Sequence, residues 1–368
     1  MKFYILPIFG AIFALLLCSC SSFEVTKSVD QALAHVEEGI EYHDRAYMEK
    51  RDLRVPNGVD EKNLGELKFN FAFKQGTEVE DGEAAATNWN RFTKNEWNAF
   101  RREFENAVGG TKRFPIAQML YGLADDELRR KSNNGVANVK ELDPSALKES
   151  AGIFHITPLR TNSFNLAKKE KRSNYTLKLV VNPLAADNNS PLDEIQPFSV
   201  QIGCEVNQLT DRAGRVIAGL RLSDRSKRDE FNIKLSRAVI VQFLNKMYNL
   251  FPTGGAIVNY EDGQFVLRGS RATGIQPNME FVVYAMRKGN PDAMRVAICN
   301  ATAESVGQTG NTTLTIWRKS EKVNAKKIMR HIEADFSSAL DEYDIYACSD
   351  GFAQWPDFID RSTSDSGN

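Results

Sequence analysis

The segment from Asp229 to Phe251 carries the strongest helical pattern in the sequence, and it constrains the fold more than any other stretch. Its apolar side chains form two adjacent rows, which are Phe231, Leu235, Val239, Phe243 and Met247, and Ile240, Leu244, Tyr248 and Phe251. Two rows at this spacing predict a long helix with a broad buried face. Pro252 and Gly254-Gly255 end the helix and mark the clearest domain boundary in the chain.

Strands and helices alternate before this boundary. The patterns predict strands over Leu67–Lys74, Phe114–Met119, Ile153–Leu159, Tyr175–Val181 and Phe198–Val206, and a return strand over Arg215–Leu222. They predict helices over Asn95–Val108 and Leu120–Lys131 and from Asp143. This order is typical of an α/β fold in which helices cover a mixed sheet.

Short strands separated by turn residues follow the boundary: AIVNY, QFVLRG, MEFVVYA, MRVAICNA, AESVG and TLTIW. Regularly spaced strands without helices predict a small all-β barrel or sandwich.

A helix is expected at each end of the chain. Lys326–Tyr343 predicts the C-terminal helix, and Ser28–Arg51 predicts an N-terminal helix with a coiled-coil-like seam that includes His43.

The chemistry-bearing residues predict no catalytic, cofactor or metal site. The four histidines (35, 43, 155 and 331) lack metal-ligand spacing, and no two cysteines stand two or three residues apart. No G-x-S-x-G or Walker sequence occurs. Gly109-Gly110-Thr111-Lys112 follows a helix, so its amides are not arranged to hold a phosphate. Asp125-Asp126-Glu127 stabilises a helix dipole rather than forming a pair of catalytic acids.

The charge balance, the aromatic residues and the cysteines further restrict the possible partners and chemistry of the chain. With 47 basic and 48 acidic residues, the chain offers no basis for nucleic-acid binding. Trp97, Phe100 and Phe104 share one helical face and are expected in the core, whereas Trp89 and Phe92 are expected to be exposed. Cys204, Cys299 and Cys348 are expected as buried free thiols, and the alternative is a disulfide between one of the first two and Cys348.

The chain begins with an apolar run, Phe3–Leu17, that is too short to cross a bilayer and is typical of a signal peptide. The run ends in Leu17-Cys18-Ser19-Cys20, which resembles the lipobox of bacterial lipoproteins. The resemblance implies a mature chain that begins at lipidated Cys20 and is held on a membrane by several acyl chains. Ser21 in place of Asp implies the outer membrane by the Gram-negative sorting rule. A cleaved signal of a soluble secreted protein is the alternative.

Two longer resemblances concern the folded part. The ordered segments are LKFNFAFK, NEWNAFRREFENAV, RFPIAQM, LDPSALKESAGIFHITPL and FSVQIGCEVNQLTDRAGRVIAGLRL. Together, Leu67–Leu250 resembles the CsgG-type curli-assembly lipoproteins and their relatives with a TolB-amino-terminal-like α/β fold, which include activator lipoproteins of penicillin-binding proteins. Gly254–Trp317, with GQFVLRGSRATGIQPNMEFVVYA, is similar to the carboxy-terminal domain of the flagellar assembly protein T family.

A secretion pore is disfavoured within this resemblance. Pore-forming members insert two hairpins with alternating apolar faces, whereas the matching places here hold NLAKKEKRSN and SDRSKRD. A lipid-facing strand needs about ten residues of alternating hydrophobicity, and these charged segments do not supply it.

The sequence therefore predicts five parts. They are a signal peptide (1–19), an N-terminal helix and tether (20–64), a TolB-N/CsgG-like α/β domain (65–253), a small β domain (254–320), and a C-terminal helix and tail (321–368).

The resemblances imply a non-catalytic periplasmic lipoprotein of the outer membrane that acts as a scaffold or assembly factor. Its expected partners are the membrane, other envelope proteins and further copies of itself, without nucleic acid or cofactor. An activator of a peptidoglycan synthase is the first alternative, and a hydrolase without a recognised motif is the second.

Overall fold

A computed structural model describes residues 25–73, 90–92, 94–121, 150–167, 170–184, 195–211, 213, 215–289 and 294–360. Its helices are α1 Val29–Leu33, α2 Arg45–Glu49, α3 Lys94–Gly110, α4 Arg225–Leu250, α5 Val323–Ala334 and α6 Phe336–Glu342. Its strands are β1 Phe69–Phe73, β2 Asn90–Arg91, β3 Ile116–Tyr121, β4 Ile153–Ala167, β5 Glu170–Leu184, β6 Phe198–Thr210, β7 Val216–Gly219, β8 Gly254–Glu261, β9 Gln264–Arg268, β10 Glu280–Arg287, β11 Val296–Val306, β12 Asn311–Lys319 and β13 Tyr343–Cys348.

The first module is built on a mixed sheet with the strand order β3-β1-β4-β5-β6-β7, and β2 pairs with β4. β1 runs parallel to β3 and β4, whereas the pairs β4–β5, β5–β6 and β6–β7 are antiparallel. This confirms the predicted mixed α/β sheet. The predicted helix from Asp143 and most of the one over Leu120–Lys131 lie outside the described residues, although Leu120 belongs to β3.

β4 and β5 form one long hairpin, in register from Ile153 with Leu184 to Ala167 with Glu170. Each strand has 15 residues, which corresponds to a length of about 50 Å at about 3.3 Å per residue. Both strands therefore continue well beyond the apolar stretches that predict them. The backbone pairing extends through the charged sequence because each strand has a hydrogen-bonded neighbour there, and β6 pairs with β5 from Glu170 to Val181.

Aromatic packing between α3, α4 and the sheet forms the core of this module. Phe104 of α3 is fully buried, with its ring centroid 4.9 Å from that of Phe73 and 5.5 Å from that of Phe243. The predicted core positions Phe100 and Phe104 are confirmed, and Trp97 packs half-buried against them. The expectation of an exposed Phe92 is wrong, because its ring packs edge-on against Phe100. Trp89 lies outside the described residues.

The second module is a closed antiparallel barrel with the strand order β10-β11-β12-β9-β8-β13. Gly254 and Gly255 begin β8, and a Cβ atom on Gly254 would collide with the carbonyl of Ala347 in β13. The boundary glycines therefore permit the close approach that closes the barrel, and closure leaves no unpaired strand edge. The prediction of a barrel or sandwich is thus resolved in favour of a barrel.

The barrel includes a strand beyond residue 320, where the sequence predicts the end of the small β domain. The C-terminal helix divides at Asp335, whose side chain accepts a hydrogen bond from the Ser338 amide and starts α6. The chain then forms β13, with Ile345 and Ala347 buried, between β10 and β8. The barrel therefore extends to Cys348, because it needs this last strand to close.

The single N-terminal helix predicted over Ser28–Arg51 is also wrong. α1 and α2 have five residues each, and a 3-10 turn at Glu37–Gly39 and extended residues separate them. Residues 25–68, named here the N-terminal strap, bury their apolar side chains against both modules. Val29, Ala32, Val36 and Ile40 join the main core, and Met48 and Leu53 pack on the barrel residues Val282 and Ala297. A short isolated helix is marginal, so tertiary packing decides the conformation here.

We predict that Phe104→Ala lowers the free energy of unfolding by about 3–5 kcal/mol, the usual cost of truncating a buried aromatic ring. Chemical denaturation followed by circular dichroism measures this loss. Val323→Ala is the matched control, since Val323 is 68% exposed and should change stability by less than about 0.5 kcal/mol. Equal losses in both variants would contradict the assigned core.

Candidate functional site

The strap is held to the C-terminal segment by a buried ionic cluster. The carboxylate of Asp350 lies 3.0 Å from Nδ1 of His43 and accepts a hydrogen bond of 2.5 Å from Nη1 of Arg51. Asp350 and His43 are each 4% exposed. Burial alone raises the pKa of Asp350, but the hydrogen bond and charge of His43 and the charge of Arg51 outweigh it and hold that pKa below its usual range.

α4 connects the strap to the same C-terminal segment through Asn245. Its side-chain nitrogen donates to the carbonyl of Glu41 in the strap, and its side-chain oxygen accepts from the amide of Phe352 at 2.8 Å. The amide of His43 also donates to the carbonyl of Phe352, at 2.7 Å. The strap and the segment after β13 are therefore fixed to each other and to the longest helix of the first module.

A second attachment joins the strap to the barrel. Arg295 donates to both carboxylate oxygens of Glu61, at 2.7 and 3.0 Å, and the hydroxyl of Tyr284 donates to the same carboxylate at 3.1 Å. Burial raises the pKa of Glu61, but the bonds from Arg295 and Tyr284 outweigh it, so this pKa lies below its ordinary value. The strap thus makes hydrogen bonds and packing contacts to both modules.

A cavity of about 1050 Å³ lies where the strap enters the sheet. It is bounded by residues 57–68 of the strap, by the residues that precede β4 and β6, and by the C-terminal end of α4. Its volume is at the upper end of the range for small-molecule sites. Among the described residues, the lining combines apolar side chains with three cations, Lys68, Arg113 and Lys246, and two acids, Asp60 and Glu66.

Arg113 is the most unusual group in this lining. Its side chain is 1% exposed, and it pairs with carbonyl oxygens instead of a carboxylate. Nη2 donates to the carbonyls of Asn63 and Pro252, each at 2.8 Å, and Nε donates to Phe251 at 3.3 Å. Nη1 is buried and has no hydrogen-bond partner among the described residues. Burial lowers the pKa of Arg113 to about 10, so the guanidinium is charged at neutral pH.

These three carbonyls give Arg113 a structural role as well. Phe251 and Pro252 directly follow α4, and Asn63 belongs to the strap. The negative end of the helix dipole and the carbonyl groups stabilise the cation. The arrangement joins the strap, the segment before β3 and the connection to the barrel, yet within the described residues one nitrogen of this buried charge has no acceptor.

None of the described histidines, cysteines or residues 109–112 considered in the sequence lines this cavity. Cys20, the predicted lipidation site, and Asp125-Asp126-Glu127 lie outside the described residues. Cys204, Cys299 and Cys348 are buried and free, so the disulfide alternative is wrong. Burial raises the pKa of Cys204 to about 12. As expected, Thr111 and Lys112 follow the C-terminal end of α3.

The four histidines also lie apart from one another. His35 pairs with Glu38 at the surface, His43 belongs to the Asp350 cluster, His155 lies in β4 and His331 contacts Ser338. Within the described ranges, no group of three or more His, Cys, Asp or Glu side chains is placed to hold a metal ion. No helix in that part of the chain has the length and apolar character needed to cross a bilayer.

Sequence reasoning missed both Arg113 and Asp350. Arg113 stands before the strand pattern FPIAQM, as many exposed basic residues do, and Asp350 stands in the polar sequence SDG. Their partners are remote in sequence, at residues 63 and 251 for Arg113 and at residue 43 for Asp350. Only the tertiary fold brings these groups together, and no local signal indicates them.

Comparison with known proteins adds two weak likenesses. No protein-family model and no curated protein matches the chain. A neuraminyllactose-binding hemagglutinin homolog from Helicobacter pylori matches at 8% identity and a TM-score of 0.25, over 54% of this chain and 89% of that one. The hypothetical protein CT253 from Chlamydia trachomatis matches at 8% identity and a TM-score of 0.23, over 48% and 95%. At such TM-scores neither likeness bears on fold or function.

We predict that Asp350→Asn lowers the free energy of unfolding at pH 7 by about 3 kcal/mol, because it leaves the partly buried Arg51 guanidinium without its counter-ion and His43 without its carboxylate partner. The folded-state pKa of Asp350 lies below its unfolded value of about 3.9. Its stabilisation is therefore complete above that value and is lost as pH falls through the folded-state pKa. Denaturation series from pH 7 to pH 3 should show the wild type and the variant converging.

Asp341→Asn is the matched control for this measurement, since Asp341 is exposed on α6. It should change stability by less than about 0.5 kcal/mol. A wild-type advantage over Asp350→Asn that stays constant down to pH 3 would show that the Asp350 cluster does not contribute through its charge.

Proposed function

We propose that this protein is a lipid-anchored, non-catalytic lipoprotein of the outer membrane that faces the periplasm and binds other envelope proteins as a scaffold or assembly factor. One observation carries the proposal. Cys20 of the lipobox-like sequence stands six residues before Thr26, which is 8% exposed and begins the packed strap. A lipid at Cys20 would therefore attach to a segment that is built into both modules.

The architecture supports docking as the mode of action. The strap connects the barrel and the sheet through Asp350, Asn245 and Arg295, so an acyl anchor would position two folded surfaces together. The sheet ends at β3 and β7 in the described part of the chain. Such open edges can accept a strand from a partner. Confinement to a membrane surface also raises the effective concentration of anchored partners.

The finer family assignment belongs to the same proposal. The order β1, α3, β3, β4 agrees with the ordered segments by which the chain resembles the TolB-amino-terminal-like and CsgG-type lipoproteins. The closed barrel after Gly254 agrees with the resemblance to the carboxy-terminal domain of the flagellar assembly protein T family. A secretion pore is not part of the proposal, since the sequence NLAKKEKRSN at the end of the long hairpin is highly charged.

We predict that Cys20→Ser abolishes metabolic labelling of the protein with palmitate, because the modified thiol is removed. Cys18→Ser is the matched control and should retain the label, since Cys18 lies in the part that signal cleavage removes. Gel fluorography of both variants and the wild type measures the outcome. An unlabelled wild type, or a label lost only in Cys18→Ser, would refute the proposed anchor.

Chemical crosslinking with mass spectrometry in native membranes tests the partners. Envelope proteins crosslinked to either module would support the scaffold, and crosslinks between identical peptides would indicate self-association. A penicillin-binding protein whose activity rises on binding would favour the alternative, an activator of a peptidoglycan synthase. Turnover of a substrate by the purified protein would refute the non-catalytic proposal.

A further inference from the structure

A basic surface lies beside the start of the strap. Residues 215–228, named here the β7–α4 segment, comprise β7, the connection after it and the first residues of α4. The segment holds five cations and one acid, in a chain whose 47 basic and 48 acidic residues nearly balance. The cations are Arg215, Arg221, Arg225, Lys227 and Arg228.

Neighbouring acids neutralise only part of this charge. The two ion pairs are Arg215 with Asp211 at 2.7 Å and Arg225 with Asp229 at 3.7 Å. Arg221 and Lys227 are exposed and make no ion pair in the described part of the chain. The β7–α4 segment therefore presents positive charge to the solvent.

Helix stability does not explain where three of these cations stand. Arg225, Lys227 and Arg228 are among the first four residues of α4, where the helix dipole is positive and favours acids. The first turn contains no acid, and Asp224 acts as the N-cap. Cations at this end lower the stability of the helix. Residues that break a local rule in this way are expected at functional surfaces.

An exposed apolar side chain lies in the same segment. Ile217 of β7 is 55% exposed, and few large hydrophobic side chains among the described residues are exposed at all. Cations next to an exposed apolar side chain are typical of surfaces that bind the interface of a bilayer. An acidic protein would use the cations alone, whereas a bilayer uses both the cations and the apolar side chain.

The strap begins at this surface. A Cβ atom on Gly219 of β7 would stand 3.4 Å from Cγ1 of Val25. Cys20 precedes Val25 by five residues, which reach at most about 18 Å when fully extended. A lipid at Cys20 would therefore keep the β7–α4 segment close to the bilayer.

We propose that the β7–α4 segment docks on a bilayer that contains anionic phospholipids. The cations bind the lipid phosphate groups, and Ile217 enters the boundary between headgroups and acyl chains. This inference rests on the proposed function, because the anchor at Cys20 is what brings this surface to a membrane. Docking adds an orientation of the folded part that a lipid on a short link does not impose by itself.

The surface of α5 is the internal comparison. It carries two exposed cations without a described ion pair, Lys327 and Arg330, and Val323 beside them is 68% exposed. Its composition is therefore similar, but α5 packs on β11 of the barrel. The contact with Val25 favours the β7–α4 segment over α5.

The test is vesicle flotation of residues 21–368, which lack the signal peptide and any lipid but keep every residue that the structure describes. The vesicles contain phosphatidylcholine alone, or phosphatidylcholine with about 30% phosphatidylglycerol. At low salt we expect at least about tenfold tighter binding to the anionic vesicles, because each basic residue near such a surface strengthens binding severalfold. About 1 M salt should release the protein, since it screens these charges.

Two double variants locate the surface. Arg221→Gln with Lys227→Gln should weaken binding to the anionic vesicles by about tenfold or more. Lys327→Gln with Arg330→Gln removes the same two charges from α5 and should leave binding unchanged. All four side chains are exposed, and circular dichroism checks that each variant keeps its fold.

Two single variants test the apolar contact. Ile217→Gln should weaken binding to the anionic vesicles by about threefold or more, because a polar side chain does not enter the acyl boundary. Val323→Gln is the matched control on α5 and should bind like the wild type.

Three results would overturn the proposal. They are no binding to anionic vesicles, equal losses in the two double variants, and binding of soluble polyglutamate as tight as that of the vesicles. The last result would assign the surface to an acidic protein. Palmitate labelling is measured separately, so a labelled chain that ignores anionic vesicles would retain the proposed anchor and lose this surface.

Discussion

The structure depends on the packing of α4 against the sheet, the strap and the C-terminal segment. Phe243 lies against Phe104 and the sheet, while Tyr248 packs on Phe352 after the barrel's last strand. Asn245, on the same helix, bonds to the strap and to the C-terminal segment. Segments more than 100 residues apart therefore converge on three residues of one helix, and loss of this helix would release the sheet, the strap and the chain end together.

Sequence periodicity predicts the helices and strands that bury one continuous face. It fails for segments that pack against several parts of the structure. α3, α4, β1 and β6 follow from repeated apolar spacing, because each buries one continuous face or alternates. The predicted C-terminal helix ends at Tyr343, yet barrel closure makes Tyr343–Cys348 a strand. The seam around His43 likewise suggests one helix, but its apolar residues find partners on two modules at once, and no single straight helix could reach both.

Arg113 shows why a buried cation that is held by backbone carbonyls cannot be recognised in the sequence. Its burial depends on carbonyl groups at residues 63, 251 and 252, and its charge is offset by backbone dipoles rather than by an acid that a pattern could reveal. A buried guanidinium that donates to carbonyls, as its described bonds show, is fixed in position but retains its charge. The same contacts that hold the two modules together thus leave a cation at the wall of a cavity.

The path of the strap has a geometric consequence for any lipid at Cys20. Six residues reach at most about 20 Å when fully extended, which is close to the radius of gyration expected for a body of this size, also about 20 Å. Val25 lies beside Gly219 of β7, so a lipid at Cys20 would leave the β7 side little room to move away from the bilayer. Such a short link would limit distance from the membrane without adding any contact to the folded part.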